Sequence, residues 1–351
     1  MKIRVLLVLP LKGGSLSVGK QIAEALRHMK NIDSDIFATE PLNKFYEKSF
    51  SHIRDNRHRL KNIVEHINLA AMAKVVDFRP DLTIVMALSP ISPWFVERIK
   101  QLGVLTAHWY IEDFRYYPAN PIIPGWQVIA PHYNHFFTIQ RGAFHDALSN
   151  LGINNFHYLP TGCNPKDPEK LKNGITSDCR YSGDICFVGH PYPNRIALFK
   201  SMDELDITLW GPGWAEIPEL NKFARGNGNW VDSHEETKII SEAKIGLNVH
   251  SSLNPDEIIH MGDFLNPRVF TIAACNTVQI VDNQEPLHEV FEIGREVSVY
   301  HDMTTLKDQL HYFLDNKEER MRMAERALNR VIEDHTYEQR IKEMLRVIGL
   351  G

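Results

Sequence analysis

The sequence predicts an α/β protein made of two doubly wound, parallel-sheet domains, and three observations predict it. The chain is 351 residues long, about twice a typical domain. Short apolar, β-branched runs alternate with longer segments of helical period, as in βαβ units. The alternation stops once, at a stretch rich in proline, glycine and charge, and then resumes.

In the first series, strands are expected at 3–9, 34–38, 82–87, 104–110, 135–139 and 156–159, with helices at 18–29, 59–78, 93–102 and 142–151. The stretch from Pro160 to Asp178, with Gly162, Pro165, Pro168 and Gly174, reads as a linker. The second series places strands at 184–188, 206–210, 244–249, 277–281 and 296–300, and helices at 195–202, 235–243, 268–274, 306–314 and 318–332. Ser233 and Glu236 have capping-box spacing. A last helix is expected from His335 to Ile348. The expected domains are 1–165 and 166–334, with 335–351 crossing back to the first.

Composition narrows the function classes. At 43% hydrophobic and 24% charged residues the chain is neither disordered nor fibrous. The apolar run Val5 to Leu9 ends at Pro10, too short for a signal-peptide core or a membrane span, so a cytoplasmic protein is expected. Cys163, Cys179, Cys186 and Cys275 form no CxxC pair, which argues against a zinc knuckle or redox dithiol. Net charge is −5, no general footprint for nucleic acid. Residues 1–165 carry 18 Lys+Arg against 13 Asp+Glu, leaving 21 against 31 for the rest. Arg54, Arg57, His58, Arg59 and Lys61 form a basic cluster that suits a peripheral membrane contact or an acidic protein surface, and equally a solvated helix face.

Open parallel sheets bind ligands at the carboxyl ends of their strands, which selects the loops to search. Gly13, Gly14 and Ser15 follow the first strand and let the backbone approach a ligand, but match neither GxGxxG nor a Walker motif. Gly189 leads out of the first strand of the second series, and Arg195 stands at the start of the next helix, where amides and a guanidinium could hold a diphosphate. Trp210, Gly211, Pro212, Gly213 and Trp214 make a rigid corner with flat apolar faces suited to a base or sugar, or to filling a core. Asn266, Pro267 and Arg268 open another helix, with Arg268 in the first turn against the dipole preference.

Taken in order, Phe187-Val188-Gly189 with Arg195, Trp210-Gly211, Ala243 to Asn248, Leu265 to Phe270, Gln279 to Asp282, Val290 to Gly294 and His335 to Arg340 resemble the C-terminal domain of CgeB-like glycosyltransferases. These are a branch of the GT-B enzymes. The resemblance covers residues 184–345 well and is looser over 1–165. It implies two Rossmann-like domains with a cleft between them, a nucleotide-sugar donor as substrate rather than a resident cofactor, and an unidentified acceptor on the N-terminal side; a UDP-linked donor is expected, and no metal. It puts Gly189 and Arg195 near the donor phosphates, Gly211, Gly213 and Trp214 with Val231 near the base, and Asn266, Arg268 and Phe270 around the diphosphate and ribose. The sequence departs from the family at Thr271, where a ribose-binding Glu is usual, and at Asn276, where Gly is usual.

Acid–base candidates lie where the strand 104–110 ends: His108, Glu112 and Asp113. Asp113 is the first choice and His108 the second. A metal at His132 and His135 lacks a third ligand at a recognisable spacing. Asp33-Ser34-Asp35, though shaped like a DxD motif, begins a strand and so lies away from strand ends. Two further readings share the architecture: a catalytically silent binder of nucleotide sugar or glycan, and a nucleotide-sugar epimerase. The sequence leaves the oligomeric state open.

Overall fold

A computed structural model describes residues 2–115, 122–164, 181, 183–202, 204–257 and 262–351. Most of the expected linker lies outside the described residues. The chain forms two compact units, Met1–Thr161 with Tyr337–Gly351, and Gly162–Thr336. The last helix, Tyr337–Ile348, thus belongs to the first unit, where it packs on the helix Gly14–His28.

Among the described residues the first unit holds a six-stranded sheet of β1 (Ile3–Leu9), β2 (Ile32–Ala38), β3 (Leu82–Met86), β4 (Leu105–Tyr110), β5 (His135–Thr138) and β6 (Phe156–Tyr158). Its order is β2-β1-β3-β4-β5-β6, with every pair parallel. Helices cover the faces of such a sheet, so its inner strands are apolar without alternation; Val5 to Leu9 and Leu82 to Met86 are all buried. Gly19 lets the first helix lie close on β1, since a Cβ there would stand 2.7 Å from Leu9 Cδ2.

The helix Asn56–Phe78 begins where Asp55 Oδ1 accepts from Arg57 N at 3.0 Å. It buries Ile63, Ile67, Ala71 and Val75, one face at i+4 spacing. It ends at Arg79, left-handed at φ 50°, before Pro80. A preceding helix, Thr39–Ser49, was not expected; its mostly exposed residues give little apolar period. The DxD-like aspartates are tied up in ion pairs, Asp33 with Arg4 at 3.5 Å and Asp35 with Lys74.

The second unit holds β7 (Ile185–Val188), β8 (Ile207–Trp210), β9 (Ala224–Arg225), β10 (Ile245–Asn248), β11 (Val278–Asp282) and β12 (Ser298–Tyr300), in the order β12-β11-β10-β7-β8-β9 and again parallel. That is the Rossmann order, with its switch point between β7 and β10; in the first unit the switch lies between β1 and β3. The two-residue β9 is too short for period reasoning to find. The cap of the helix Ser233–Glu242 is one residue earlier than expected: Asp232 Oδ1 accepts from His234 N and Glu235 N, both at 2.9 Å, so Ser233 and Glu236 form no capping box.

His108 corrects an expectation. It points into the core of the first unit, 1% exposed, against Tyr133 (4.9 Å) and Phe136 (5.1 Å), and neither ring nitrogen has a partner. A group so enclosed cannot serve an acceptor. Burial lowers its pKa from 6.5 to about 3, because the charged form is disfavoured out of water. The unfolded chain takes up this proton near pH 6.5 and the fold resists it down to about pH 3. Stability therefore falls as pH drops through that window, by up to roughly 5 kcal/mol from this group. His108→Leu is expected to flatten the fall in melting temperature between pH 7 and 4; an equally steep fall in the variant would trace it to other groups.

Candidate functional site

In the second unit the carboxyl ends of β7, β10 and β11 are joined by buried polar side chains. Asp282, at the end of β11, accepts from His250 Nδ1 at 2.8 Å, from His250 N at 3.1 Å and from Gln284 Nε2 at 3.0 Å. His250 Nε2 accepts from Asn266 N at 3.0 Å. These partners assign His250 as the neutral Nδ1–H tautomer, and burial lowers its pKa, ahead of the opposing pull of Asp282. Asn266 Nδ2 then donates to Asn248 Oδ1 (2.9 Å), Asn248 Nδ2 to Gln279 Oε1 (3.0 Å), and Gln279 Nε2 to Val269 O (3.0 Å). The relay fixes the turn that carries Arg268.

A second brace holds the loop after β10 to the helix Pro193–Lys200. Asn194 Nδ2 donates to His250 O at 2.9 Å while its Oδ1 accepts from Ser252 N at 2.9 Å. Arg195 donates Nε and Nη2 to Val249 O (3.0 and 2.7 Å) and Nη1 to His190 O (3.0 Å). Arg268 Nη1 donates to Val188 O at 2.6 Å, and both guanidiniums stand 5.1 Å from the Phe187 ring centroid. Among the described residues, buried Asn266 Oδ1 and Arg268 Nε have no partner. On the helix Ser233–Glu242, burial pushes the Glu236 carboxyl up to about 6 against the pull of Arg268.

In the first unit the carboxyl ends of β1, β3 and β4 gather a smaller polar set. Gly13 has φ 85°, and a Cβ on Gly13 or Gly14 would meet nothing within 4 Å, so this turn is open. Ser15 Oγ donates to Glu112 Oε1. Burial raises the Glu112 pKa, the Ser15 bond lowers it, and the neighbouring Asp113 charge raises it. Asp113 is forked by Arg115, with Nε to Oδ1 at 2.9 Å and Nη2 to Oδ2 at 2.8 Å. It also takes Arg115 N at 3.0 Å. Just past β3, Leu88 adopts φ 64°, rare for a branched side chain, and the buried Ser89 Oγ has no partner.

Residues 195–346 match a glycosyl transferase-like family. Spore protein CgeB of Bacillus subtilis is 23% identical over 296 residues, 81% of this chain and 88% of CgeB. The chain is thus similar to CgeB and has the two-domain, Rossmann-like fold of the GT-B glycosyltransferases. A sucrose-phosphate synthase from Thermosynechococcus elongatus superposes with a TM-score of 0.63 at 12% identity, covering 99% of this chain and 98% of the other. An alpha-glucosyltransferase solved with UDP and a 13-mer DNA gives 0.62 at 12% identity, covering 99% and 100%.

The fold distributes the expected site residues unevenly. Gly189 and Arg268 come together at the end of β7, where a Cβ on Gly189 would stand 2.6 Å from Arg268 Nη1, while Asn266 is held at the end of β10 by Asn248 and His250. Arg195 is beside them, yet its bonds go to carbonyls, which makes it a brace. Trp214 is fully buried against Phe187 (5.8 Å) and Phe199 (5.5 Å), with Nε1 donating to Gly189 O at 2.6 Å, so its faces are covered and a base cannot stack on it. Phe270 is likewise core, 6.3 Å from Phe291, and does not frame a ribose. Val231 is half-buried and packs on the cluster of Val188, Trp210 and Ile239. Thr271 Oγ1 donates to Pro267 O at 3.2 Å. Asn276 has φ 55°, so the usual glycine is replaced by the residue that best tolerates a left-handed turn. Trp230, 46% exposed with its ring 5.6 Å from His190, was missed, since a lone surface indole carries no periodic signal.

Gly211 and Gly213 are there to be close-packed. Gly211 has φ 119° and a Cβ would lie 2.7 Å from Gly189 O; Gly213 has φ 95° and would lie 2.9 Å from Pro191 Cγ. Gly211→Ala should lose at least about 2 kcal/mol in urea denaturation from strain and clash together. Gly14→Ala, which meets open space inside a helix, should be neutral or slightly stabilising. Equal losses in the two would refute the packing argument.

Proposed function

We propose that the protein transfers a sugar from a UDP-linked donor to a hydroxyl of an acceptor, the second unit holding the donor and the first the acceptor. The observation that carries this is a pair of buried atoms at the ends of β7 and β10 that have no partner among the described residues. Arg268 Nε is a donor in want of an anionic oxygen, and Asn266 Oδ1 an acceptor in want of a hydroxyl. A nucleotide sugar presents both, a phosphate and hydroxyls, within one molecule. The glycosyl transferase-like family match over 195–346 spans these residues, and the alpha-glucosyltransferase of the same fold was solved with UDP.

Each part follows from ordinary chemistry. Arg268 offers a charge-assisted hydrogen bond to the diphosphate, where charge grows as the bond to the sugar breaks. Phe187 beneath it and Gly189 beside it hold the guanidinium without filling its approach. Trp230 offers an exposed flat face for the base. A silent donor-binding protein remains the second reading, favoured by Thr271: its hydroxyl is turned onto Pro267 O where the family resemblance expects a carboxylate. Release of UDP from UDP-glucose, UDP-galactose or UDP-N-acetylglucosamine separates the two.

Arg268→Ala is expected to weaken UDP binding by about 1.5 to 3 kcal/mol in calorimetry, roughly 10- to 150-fold, with little change in melting temperature. Arg195→Ala should show the opposite balance, a lower melting temperature from three lost carbonyl bonds. Unchanged UDP affinity in Arg268→Ala would remove that residue from the donor site.

A further inference from the structure

We propose that Glu112, held by Ser15, is the group that takes the proton from the acceptor hydroxyl. The inference rests on the transfer reading above and adds a residue and a reaction role to it.

Two adjacent acids leave β4, and they differ in what their oxygens already do. Both oxygens of Asp113 are occupied: Oδ1 by Arg115 N and Nε, with Gln140 Nε2 at 3.4 Å, and Oδ2 by Arg115 Nη2. A carboxylate forked by a guanidinium has both oxygens committed to it. Glu112 has one hydrogen bond, from Ser15 Oγ to Oε1, and among the described residues Oε2 has no partner. Burial raises its proton affinity without an opposing cation, in the direction a general base at neutral pH requires. Its surroundings come from two strand ends: Ser15 on the helix after β1, and Asp113, held by Arg115, after β4. This is also where a doubly wound sheet presents ligands, beside the β1–β3 switch. His108, on β4 itself, is sealed in the core.

The step balances as follows. The acceptor oxygen bonds to the anomeric carbon of the donor sugar. The bond from that carbon to the donor's phosphate oxygen breaks, and UDP leaves with the electron pair. The acceptor's proton passes to Glu112 Oε2 and then to solvent. Ser15 keeps the carboxylate oriented, and its hydroxyl bond favours the ionised form.

The test uses the full chain with UDP-glucose, UDP-galactose and UDP-N-acetylglucosamine, water as acceptor, and UDP release as the readout. Glu112→Gln is expected to lower turnover 10²- to 10⁴-fold while UDP affinity in calorimetry stays at the wild-type value. The acid limb of the wild-type pH–rate profile should disappear in that variant. In Ser15→Ala it should move to higher pH, because a bond that lowers the Glu112 pKa has been removed. A purely structural Glu112 would leave the limb in place. Wild-type turnover and profile in Glu112→Gln, with UDP still bound, would overturn this inference alone. Failure of the wild type to bind UDP or any of the three donors would overturn the transfer reading and this inference together.

Discussion

The second unit depends on keeping a set of polar side chains satisfied out of water at the ends of β7, β10 and β11. In a low-dielectric interior a hydrogen bond is strong and an unmade one expensive, so such a network is either complete or a liability. Here it is nearly complete. Asp282 accepts from both the side chain and the backbone of His250, His250 passes the constraint to the Asn266 backbone, and the amides of Asn266, Asn248 and Gln279 carry it across to Val269. Asn194 and Arg195 close the other side by binding the backbone of 249–252. The loop array is thus rigid before any ligand arrives, which is what tight recognition asks of a site. The remaining unpaired capacity falls on Asn266 and Arg268. A buried donor or acceptor without a partner costs about 1–3 kcal/mol, so a ligand that supplies both partners removes a penalty as well as making bonds.

Two guanidiniums of one sign share the Phe187 ring, an arrangement that needs compensation. Arg195 is balanced chiefly by carbonyl dipoles, with Asp282 close enough to act on it. Arg268 feels Glu236 and Asp282, and burial disfavours its charge. Glu236 is the weaker counterweight, since its carboxyl ionises only at about 6. Two guanidiniums and two carboxylates thus act on one another here, and among the described residues Arg268 Nε is a donor without a partner.

The sequence made the alternation of elements legible because a buried parallel strand is a run of apolar residues and a helix has a period. It also made the strand-end loops legible, since strand ends carry the glycines and polar residues that cannot sit in a core. What it could not show is which member of a similar pair is engaged elsewhere. Arg195 and Arg268 both follow a strand and open a helix, and the difference lies in carbonyls that the fold brings to Arg195, Val249 from 54 residues away. Trp214 and Trp230 are both indoles near glycines, and only packing on Phe187 and Phe199 separates the buried one from the exposed one. The His250–Asp282 pair spans 32 residues with no local signature beyond two strand ends.

The same reasoning explains the acids at the end of β4. Asp113 is conspicuous in the sequence because Arg115 stands two residues on, and that pairing is what occupies its lone pairs in the fold. Glu112 is inconspicuous because its partner, Ser15, is 97 residues away on another strand end. Successive residues leaving a strand point to opposite sides, so adjacent acids enter different environments. One meets a fixed cation, while the other meets a hydroxyl and a desolvating wall. Local charge pairing visible in sequence is thus evidence against an acid's availability, and a reactive carboxylate is better sought where the sequence shows no partner and topology supplies a neutral one.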